Sequence, residues 1–181
     1  MKTRMFFIGL CVMCQTVMFS QQAKIIHGPV IQNYGAFYEV NNPDVKTEIN
    51  SELKVIFDVE KSSDDKSVVN KYIDIVARFL NMHVHAGMKL EQLKAAMTIH
   101  GEAWQDVLNN DKYREKFGVD NPNLKLINAL SDAGVDVIVC GQSAAKHEMS
   151  REDIIPSVKI VLSATTALIQ YQNNGYRFVK Y

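Results

Sequence analysis

The sequence predicts an α/β fold, a three-layer sandwich built on a five-stranded, mainly parallel sheet. Three observations lead to this prediction. Short runs rich in β-branched residues alternate with stretches in which apolar residues recur at helical spacing. Glycines mark several of the junctions between them. One run is apolar along most of its length, as expected of a parallel strand covered on both faces. Right-handed crossovers then place helices on both sides of the sheet.

Residues 1–20 have the composition of a secretory signal peptide. Lys2 and Arg4 precede an apolar stretch over 5–14, and polar residues follow it. The apolar stretch is much shorter than the roughly 20 residues that a membrane-spanning helix needs. We therefore expect cleavage after Ser20, a periplasmic or secreted mature chain, and no membrane association after cleavage.

The composition of the mature chain excludes several kinds of partner and cross-link. The full sequence has 20 basic and 20 acidic residues, and the predicted signal peptide removes two bases and no acid, which leaves a formal charge of −2. No general positive field is available for nucleic acid, so we expect no nucleic-acid partner. Of the three cysteines, Cys11 and Cys14 leave with the signal peptide, so Cys140 has no disulfide partner within the mature chain.

The mature chain divides into an arm and one domain. Residues 21–50 are predicted to form an irregular N-terminal arm, because turn-forming residues interrupt scattered apolar ones. Residues 51–181 form the predicted α/β domain. It opens with a strand over 53–59, and apolar residues then recur at helical spacing over 69–80. A strand followed by an amphipathic helix is the start of a βαβ unit.

The same alternation continues to the end of the chain. A second strand is predicted over 94–99 and a helix over 123–133, with Gly134 in the position that often ends a helix. Gly134 leads directly into a strand over 135–139. The remaining predicted elements are a short helical turn over 150–156, a strand over 158–162, a helix over 164–172 and a last strand over 176–179.

The ends of the predicted strands are the candidate sites, because ligands of open parallel sheets bind beyond the carboxyl ends of the strands. These ends carry Asp58, His100 and Cys140. Backbone N–H groups after a strand-end cysteine would lower the pKa of its thiol, and a nearby histidine would activate it as a nucleophile. The predicted site therefore has two catalytic candidates, Cys140 and His100, and four ligand-binding candidates, Gly101, Gly141, Gln142 and Ser143.

Other interpretations of these residues remain open. Free cysteine is among the most buried residue types, so Cys140 is either a nucleophile or a small core residue. His100 is either a partner of the thiol or a histidine whose hydrogen bonds are satisfied at a strand end. Metal binding by Cys140 with histidines is a third interpretation, and the candidate histidines are His27, His83, His85 and His100.

Metal and nucleotide chemistry receive little support from the sequence. Two histidines that are two residues apart on a helix, such as His83 and His85, do not share a face, and no spacing resembles a zinc site. Neither a phosphate-binding glycine pattern nor a Gly-x-Ser-x-Gly nucleophile elbow occurs. We therefore predict no metal and no cofactor.

Three segments together resemble the DsrE/DsrF-like family of sulfur-oxidation domains, including its exported members. They are residues 98–101, which end in His-Gly, residues 130–143, which end in Val-Cys-Gly-Gln-Ser, and residues 158–176. The resemblance implies a five-stranded α/β sandwich that assembles into homo-oligomers, either trimers or hexamers. It also implies that a cysteine at the end of a mid-chain strand carries sulfur as a persulfide, and Cys140 matches that position.

Two functions follow from the residues and the resemblance. The first is an exported carrier of persulfide sulfur or thiol groups that uses Cys140 and exchanges sulfur with a donor or acceptor protein. The second is a non-catalytic oligomeric module that binds a small ligand in the loop after the strand. The first function predicts an accessible thiol of low pKa, whereas the second predicts that Cys140→Ser leaves ligand binding intact. Whether the protein is an enzyme stays open at this stage.

Overall fold

The structure is a computed structural model that describes residues 23–181. The predicted signal peptide over 1–20 lies outside the described residues. The strands are β1 (Ile25–Ile26), β2 (Phe37–Tyr38), β3 (Leu53–Val59), β4 (Leu93–Ile99), β5 (Asp136–Cys140), β6 (Lys159–Val161) and β7 (Arg177–Lys180). The α-helices are α1 (Lys71–His85), α2 (Asn110–Phe117), α3 (Leu124–Asp132), α4 (Gly141–Lys146) and α5 (Ala164–Asn173). Two 3₁₀ helices span Leu90–Gln92 and Gly101–Val107.

The main sheet has five strands in the order β6-β5-β4-β3-β7, and every neighbouring pair is parallel. This arrangement confirms the predicted α/β fold class. Strands β4 and β5 are direct neighbours near the middle of the sheet. The candidate residues at their carboxyl ends therefore lie beside each other.

Helices cover both faces of the sheet, which gives the three predicted layers. Alternate strand residues such as Phe57, Met97 and Val139 belong to the large core cluster, together with apolar side chains of α1 and α3. The intervening residues, among them Ile56 and Ala96, are buried on the opposite face, where α5 packs against the sheet. Successive side chains of a strand point to opposite faces of the sheet, and helices cover both faces, so both sets are buried.

The N-terminal segment packs on α1 rather than on the strand ends. Strands β1 and β2 pair as a small antiparallel ladder. Asn81, fully buried in α1, accepts from the backbone N–H groups of Val30 and Ile31 and donates to the carbonyls of Ile31, Tyr34 and Gly35. A buried amide with this number of partners orders an otherwise irregular chain because it satisfies backbone groups that have no ladder to join.

The observed strands agree with the predicted ones to within one or two residues, but the helices between them differ in three places. Residues 110–117 form α2, where no helix or strand was predicted, and its single buried side chain is Tyr113. Residues 141–146 form α4, where a loop was predicted. The predicted helical turn over 150–156 is a non-helical turn, in which the Asp153 carboxylate accepts from Ser150. No helix within 23–181 is long and apolar enough to cross a bilayer.

Candidate functional site

The register of the sheet brings the predicted strand-end residues onto one face. Asp58 pairs with Thr98, and Ile99 pairs with Val139, so His100 and Cys140 follow at the same level of the sheet. Because side chains alternate along a strand, Asp58, His100 and Cys140 all lie on the face that α5 covers.

Cys140 is surrounded by hydrogen-bond donors. Burial of this residue, which is 5% exposed, raises the pKa of its thiol. The backbone N–H groups of Ser143, Ala164 and Gln142, together with the Ser143 hydroxyl, outweigh that effect and leave the thiol pKa below its ordinary value. The site therefore stabilises the thiolate, the nucleophilic form of cysteine, more than an ordinary cysteine site does.

These donors come from the first turns of two different helices. Cys140 caps α4, so the N–H groups of Gln142 and Ser143 have no carbonyl partner within that helix. Ala164 is the first residue of α5, whose cap is Ser163. The positive ends of both helix dipoles thus point toward the sulfur.

Gly141 permits the close packing that holds this arrangement. A Cβ atom at Gly141 would lie 2.5 Å from the carbonyl oxygen of Val161 and 3.2 Å from that of Leu162. Gln142 is exposed, and its side-chain amide donates to the Leu162 carbonyl at 3.2 Å. The predicted ligand-binding residues Gly141 and Gln142 therefore pack against the end of β6 and the residue after it, and the backbone N–H of Gln142 also helps to lower the thiol pKa.

His100 has its hydrogen bond with Asp58, not with the thiol. Its Nε2 lies 2.7 Å from Asp58 Oδ1, and the Lys180 ammonium lies 3.1 Å from Asp58 Oδ2. Lys180 also contacts Glu60 at 2.8 Å. Asp58 is buried and both of its oxygens are occupied, so it fixes the His100 ring at the edge of the site.

Two predicted residues line an open cavity beside the thiol. Gly101 and Ser143 border a space of about 470 Å³ at the carboxyl end of the sheet. Ser143 links the thiol to this cavity, because its hydroxyl helps to lower the thiol pKa and the residue forms part of the cavity wall. Cys140 itself does not line this space, which is large enough for a small molecule.

The histidines considered for metal binding do not converge. His83 Nδ1 lies 2.7 Å from the carbonyl of Phe79 on its own helix, and His85 faces Glu39 at 3.9 Å. Within residues 23–181, no group of three or more histidine, cysteine, aspartate or glutamate side chains is placed to hold a metal ion.

Sequence reasoning named Asp58 only as the end of a strand and did not identify Lys180 or Ala164. Lys180 lies next to Asp58 because β7 pairs with β3, although the two strands are at opposite ends of the domain sequence. Ala164 reaches Cys140 because α5 begins just beyond β6, the neighbour of β5. No local sequence motif predicts either proximity, because both depend on the order of the strands in the sheet.

A comparison with known protein families identifies the domain that contains this sheet. The DsrE/DsrF-like family model matches residues 54–181. The chain belongs to the DsrE/DsrF-like family. The matched DsrE/DsrF-like region includes all five strands of the main sheet except the first residue of β3.

Two solved structures are similar to this chain at low sequence identity. A protein of unknown function, MTH1491, from Methanobacterium thermoautotrophicum has a TM-score of 0.55 and 15% identity, and the alignment covers 72% of this chain and all of that one. The ychN protein from E. coli has a TM-score of 0.49 and 12% identity, covering 71% of this chain and 99% of the other. No curated protein matches the sequence. The MTH1491 likeness supports the DsrE-like fold and nothing more specific.

Proposed function

We propose that this protein is an exported sulfur carrier that holds persulfide sulfur on Cys140. The observation that carries the proposal is the set of N–H and O–H donors around Sγ, which lowers the thiol pKa even though the residue is buried. A buried cysteine that served only to fill space would have no need of such donors, and burial alone would raise its pKa.

The proposed step is a transfer of sulfane sulfur between two thiols. The Cys140 thiolate attacks the outer sulfur of a donor persulfide, R–S–SH. A new S–S bond forms on Cys140, the S–S bond of the donor breaks, and R–S⁻ leaves with the electron pair. The outer sulfur keeps its proton, so the products are Cys140–S–SH and a donor thiolate, and no oxidant or reductant is needed.

The surrounding donors suit this reaction in both directions. The N–H groups of Ser143 and Ala164 stabilise negative charge on Cys140 before attack and again when the persulfide is handed on. His100, oriented by Asp58, lies at the end of the neighbouring strand, where it can donate a proton to a departing thiolate. We assign His100 this role as part of the proposal.

The test is sulfur loading of the signal-free protein. After incubation with glutathione persulfide, intact-mass spectrometry should show the addition of one sulfur atom to the wild type and none to Cys140→Ser. Loss of the added sulfur on treatment with dithiothreitol would show that it is held as a persulfide. A wild-type protein that stays unmodified across pH 6–9 would overturn the carrier function.

A ligand-binding module is the second candidate, and the small exposure of Cys140 favours it. With 5% of its surface accessible, the thiol meets a reagent only if neighbouring groups move. If the protein is a module of this kind, iodoacetamide will label Cys140 no faster than it labels a buried thiol, and Cys140→Ser will bind ligands as the wild type does.

We further propose that the protein forms homo-oligomers, either trimers or hexamers. Apolar side chains remain exposed along β6, β7 and α5: Ile160, Leu162, Ile169 and Phe178, with Leu162 72% exposed. Burial of such side chains between copies would remove apolar surface from water. Light scattering of the wild type and of Leu162→Asp tests this proposal, which predicts a multimer for the wild type and a smaller species for the variant.

The proposal of export rests on the composition of residues 1–20. Mass spectrometry of the protein recovered from the periplasm or medium of its host should find a mature N-terminus at Gln21. Recovery of the full-length chain from the cytoplasm alone would contradict it.

A further inference from the structure

The cavity lined by Ser143 is formed by more than the loop after one strand. Its walls come from the segments after β3 and β4 and from α4, so three separate parts of the chain surround it. Its volume of about 470 Å³ lies within the range of sites that bind organic molecules and far exceeds the space of one small inorganic ion.

Two lysines and two glutamates line this cavity. Lys61 and Lys146 both line it, and within residues 23–181 neither forms an ion pair. Of the two acids in the wall, Glu60 is already paired with Lys180 at 2.8 Å, which leaves Glu102. The formal charges of the wall cancel, but Lys61 and Lys146, without ion-pair partners among residues 23–181, are available to an anionic ligand.

An aromatic pair forms another part of the wall. The rings of Trp104 and His147 stack with centroids 4.0 Å apart and planes 10° apart, and the Lys116 ammonium lies 5.2 Å from the centre of the indole. Burial, followed by the charges of Lys146 and Lys116, lowers the pKa of His147 below its ordinary value. His147 therefore experiences the positive potential of the two lysines, which an anion in the cavity would also experience.

We propose that this cavity binds the organic part of a small, carboxylate-bearing thiol and its persulfide, and that it delivers the outer sulfur to Cys140. This inference rests on the proposed sulfur-carrier function, for which it names the donor class. Lys61 and Lys146 would pair with the carboxylates, while Ser143, which lines the cavity and lowers the pKa of the Cys140 thiol, would link the ligand to the thiol. A protein would be a different class of sulfur donor, and the geometry of the cavity does not require one.

The sequence provides a built-in probe of ligand binding. Trp104 is the only tryptophan of the chain, so the intrinsic tryptophan fluorescence reports on this cavity alone. Cys140→Ser removes the chemistry and leaves the cavity intact. S-Methylglutathione, which carries two carboxylates and no reactive thiol, is the ligand, and its diethyl ester is the comparison without carboxylates.

The experiment measures the Kd of both probes for Cys140→Ser by Trp104 fluorescence and by calorimetry. Lys61→Glu and Lys146→Glu are each added to this background. We expect S-methylglutathione to bind and each charge reversal to weaken its binding by at least about tenfold, the effect of losing one favourable ion pair and gaining a repulsive one. The matched control is Lys125→Glu, an exposed lysine on α3, which should leave the Kd unchanged.

The second readout is the pKa of His147, which is measured by NMR titration. A bound anion offsets the positive charge of Lys146, so the ligand should raise the pKa of His147, whereas the diethyl ester should not. This shift would not accompany a general change in folding. It therefore locates the anion at the cavity and not elsewhere on the surface.

The outcomes separate this inference from the carrier function. If glutathione persulfide loads Cys140 but the probe does not bind, or binds equally in the charge-reversed variants, the inference is overturned and the carrier function stands. If the probe binds with the predicted charge dependence but Cys140 is never loaded, the carrier function is overturned and the donor assignment falls with it, leaving an anion-binding cavity.

Discussion

The backbone N–H of Ala164, at the start of α5, helps to lower the pKa of the Cys140 thiol at the end of β5. The two residues are neighbours because β6 pairs with β5 and the chain then turns back over the sheet. A cysteine at the end of a strand thereby gains a donor from a helix that the chain reaches only after another complete strand. The chemistry of the thiol consequently depends on the docking of α5.

The Ser143 hydroxyl contributes to the low thiol pKa in a way that can be tested. Ser143→Ala removes the hydroxyl donor and retains the backbone donors, so the thiolate should be less stable and the thiol pKa should rise. Iodoacetamide labelling at pH 7 should slow several-fold, because the thiolate fraction falls. Gln142→Ala is the control, since the Gln142 side chain bonds to the Leu162 carbonyl and not to the sulfur. Equal pH profiles for Ser143→Ala and the wild type would refute this role.

Gly141→Ala should destabilise the protein and disturb the site. The new Cβ would meet the Val161 carbonyl oxygen at 2.5 Å, and this backbone atom cannot move aside without shifting β6. We expect a loss of about 2 kcal/mol in the free energy of unfolding, measured by urea denaturation. Ala145→Ser, at an exposed position of the same helix, should change it by less than about 0.5 kcal/mol. An unchanged denaturation midpoint for Gly141→Ala would show that β6 can shift without loss of stability.

Asp106 should make stability depend on pH in an unusual direction. Burial raises the pKa of its carboxyl to about 6, although Asn70 and Ser62 donate to it at 2.6 and 2.8 Å. The unfolded chain therefore releases this proton near pH 4 and the folded chain near pH 6. Between these values unfolding releases a proton, so rising pH destabilises the fold, by about 3 kcal/mol for this group.

Comparison with Asp106→Asn isolates that contribution. As pH rises from 4 to 7, the wild type should lose about 3 kcal/mol of unfolding free energy relative to the variant, whatever the other carboxylates do. The measurement is urea denaturation of both proteins at several pH values. Parallel curves for the two proteins would mean that the carboxyl of Asp106 is not protonated at pH 5 in the folded state.

Thr98→Val should stabilise the protein. Thr98 is fully buried next to Asp58 in the sheet, and its hydroxyl has no hydrogen-bond partner among residues 23–181. Valine has nearly the same shape and removes the unsatisfied group, so the free energy of unfolding should rise by about 1 kcal/mol. Thermal and urea unfolding provide the measurement. A loss of stability would instead indicate that the hydroxyl is hydrogen-bonded, for example to a water molecule beside Asp58.

Asn81→Ala should release the N-terminal segment from α1. The change removes the acceptor of two backbone N–H groups and the donor to three carbonyls, all of them at least half-buried. We expect a loss of about 3 kcal/mol and rapid proteolytic cleavage within residues 27–50. Asn128→Ala, which loses one exposed hydrogen bond to Ser157, is the control and should resist the protease like the wild type. Resistance of Asn81→Ala itself would show that apolar contacts suffice to hold the segment.

The predicted strands agree with the structure because each is a short apolar run bounded by polar or glycine-containing turns. Helix α2 was missed because its apolar residues are too few to produce a periodic pattern, and its stability depends on one buried side chain, Tyr113, and on caps at Asn109 and Gly118. Helix α4 was missed because Gly141 begins it, and glycine favours a loop interpretation. In both cases tertiary contacts outweigh local preference.

The sequence alone determined the alternation of strands and helices, the parallel sheet, and the strand-end positions of Asp58, His100 and Cys140. These features follow from hydrophobic periodicity and glycine placement, which are local properties. The order of the strands is not local, because five parallel strands can be arranged in many ways with the same sequence pattern. Only the tertiary structure decided that His100 pairs with Asp58 and Lys180, and that α5 supplies a donor to Cys140.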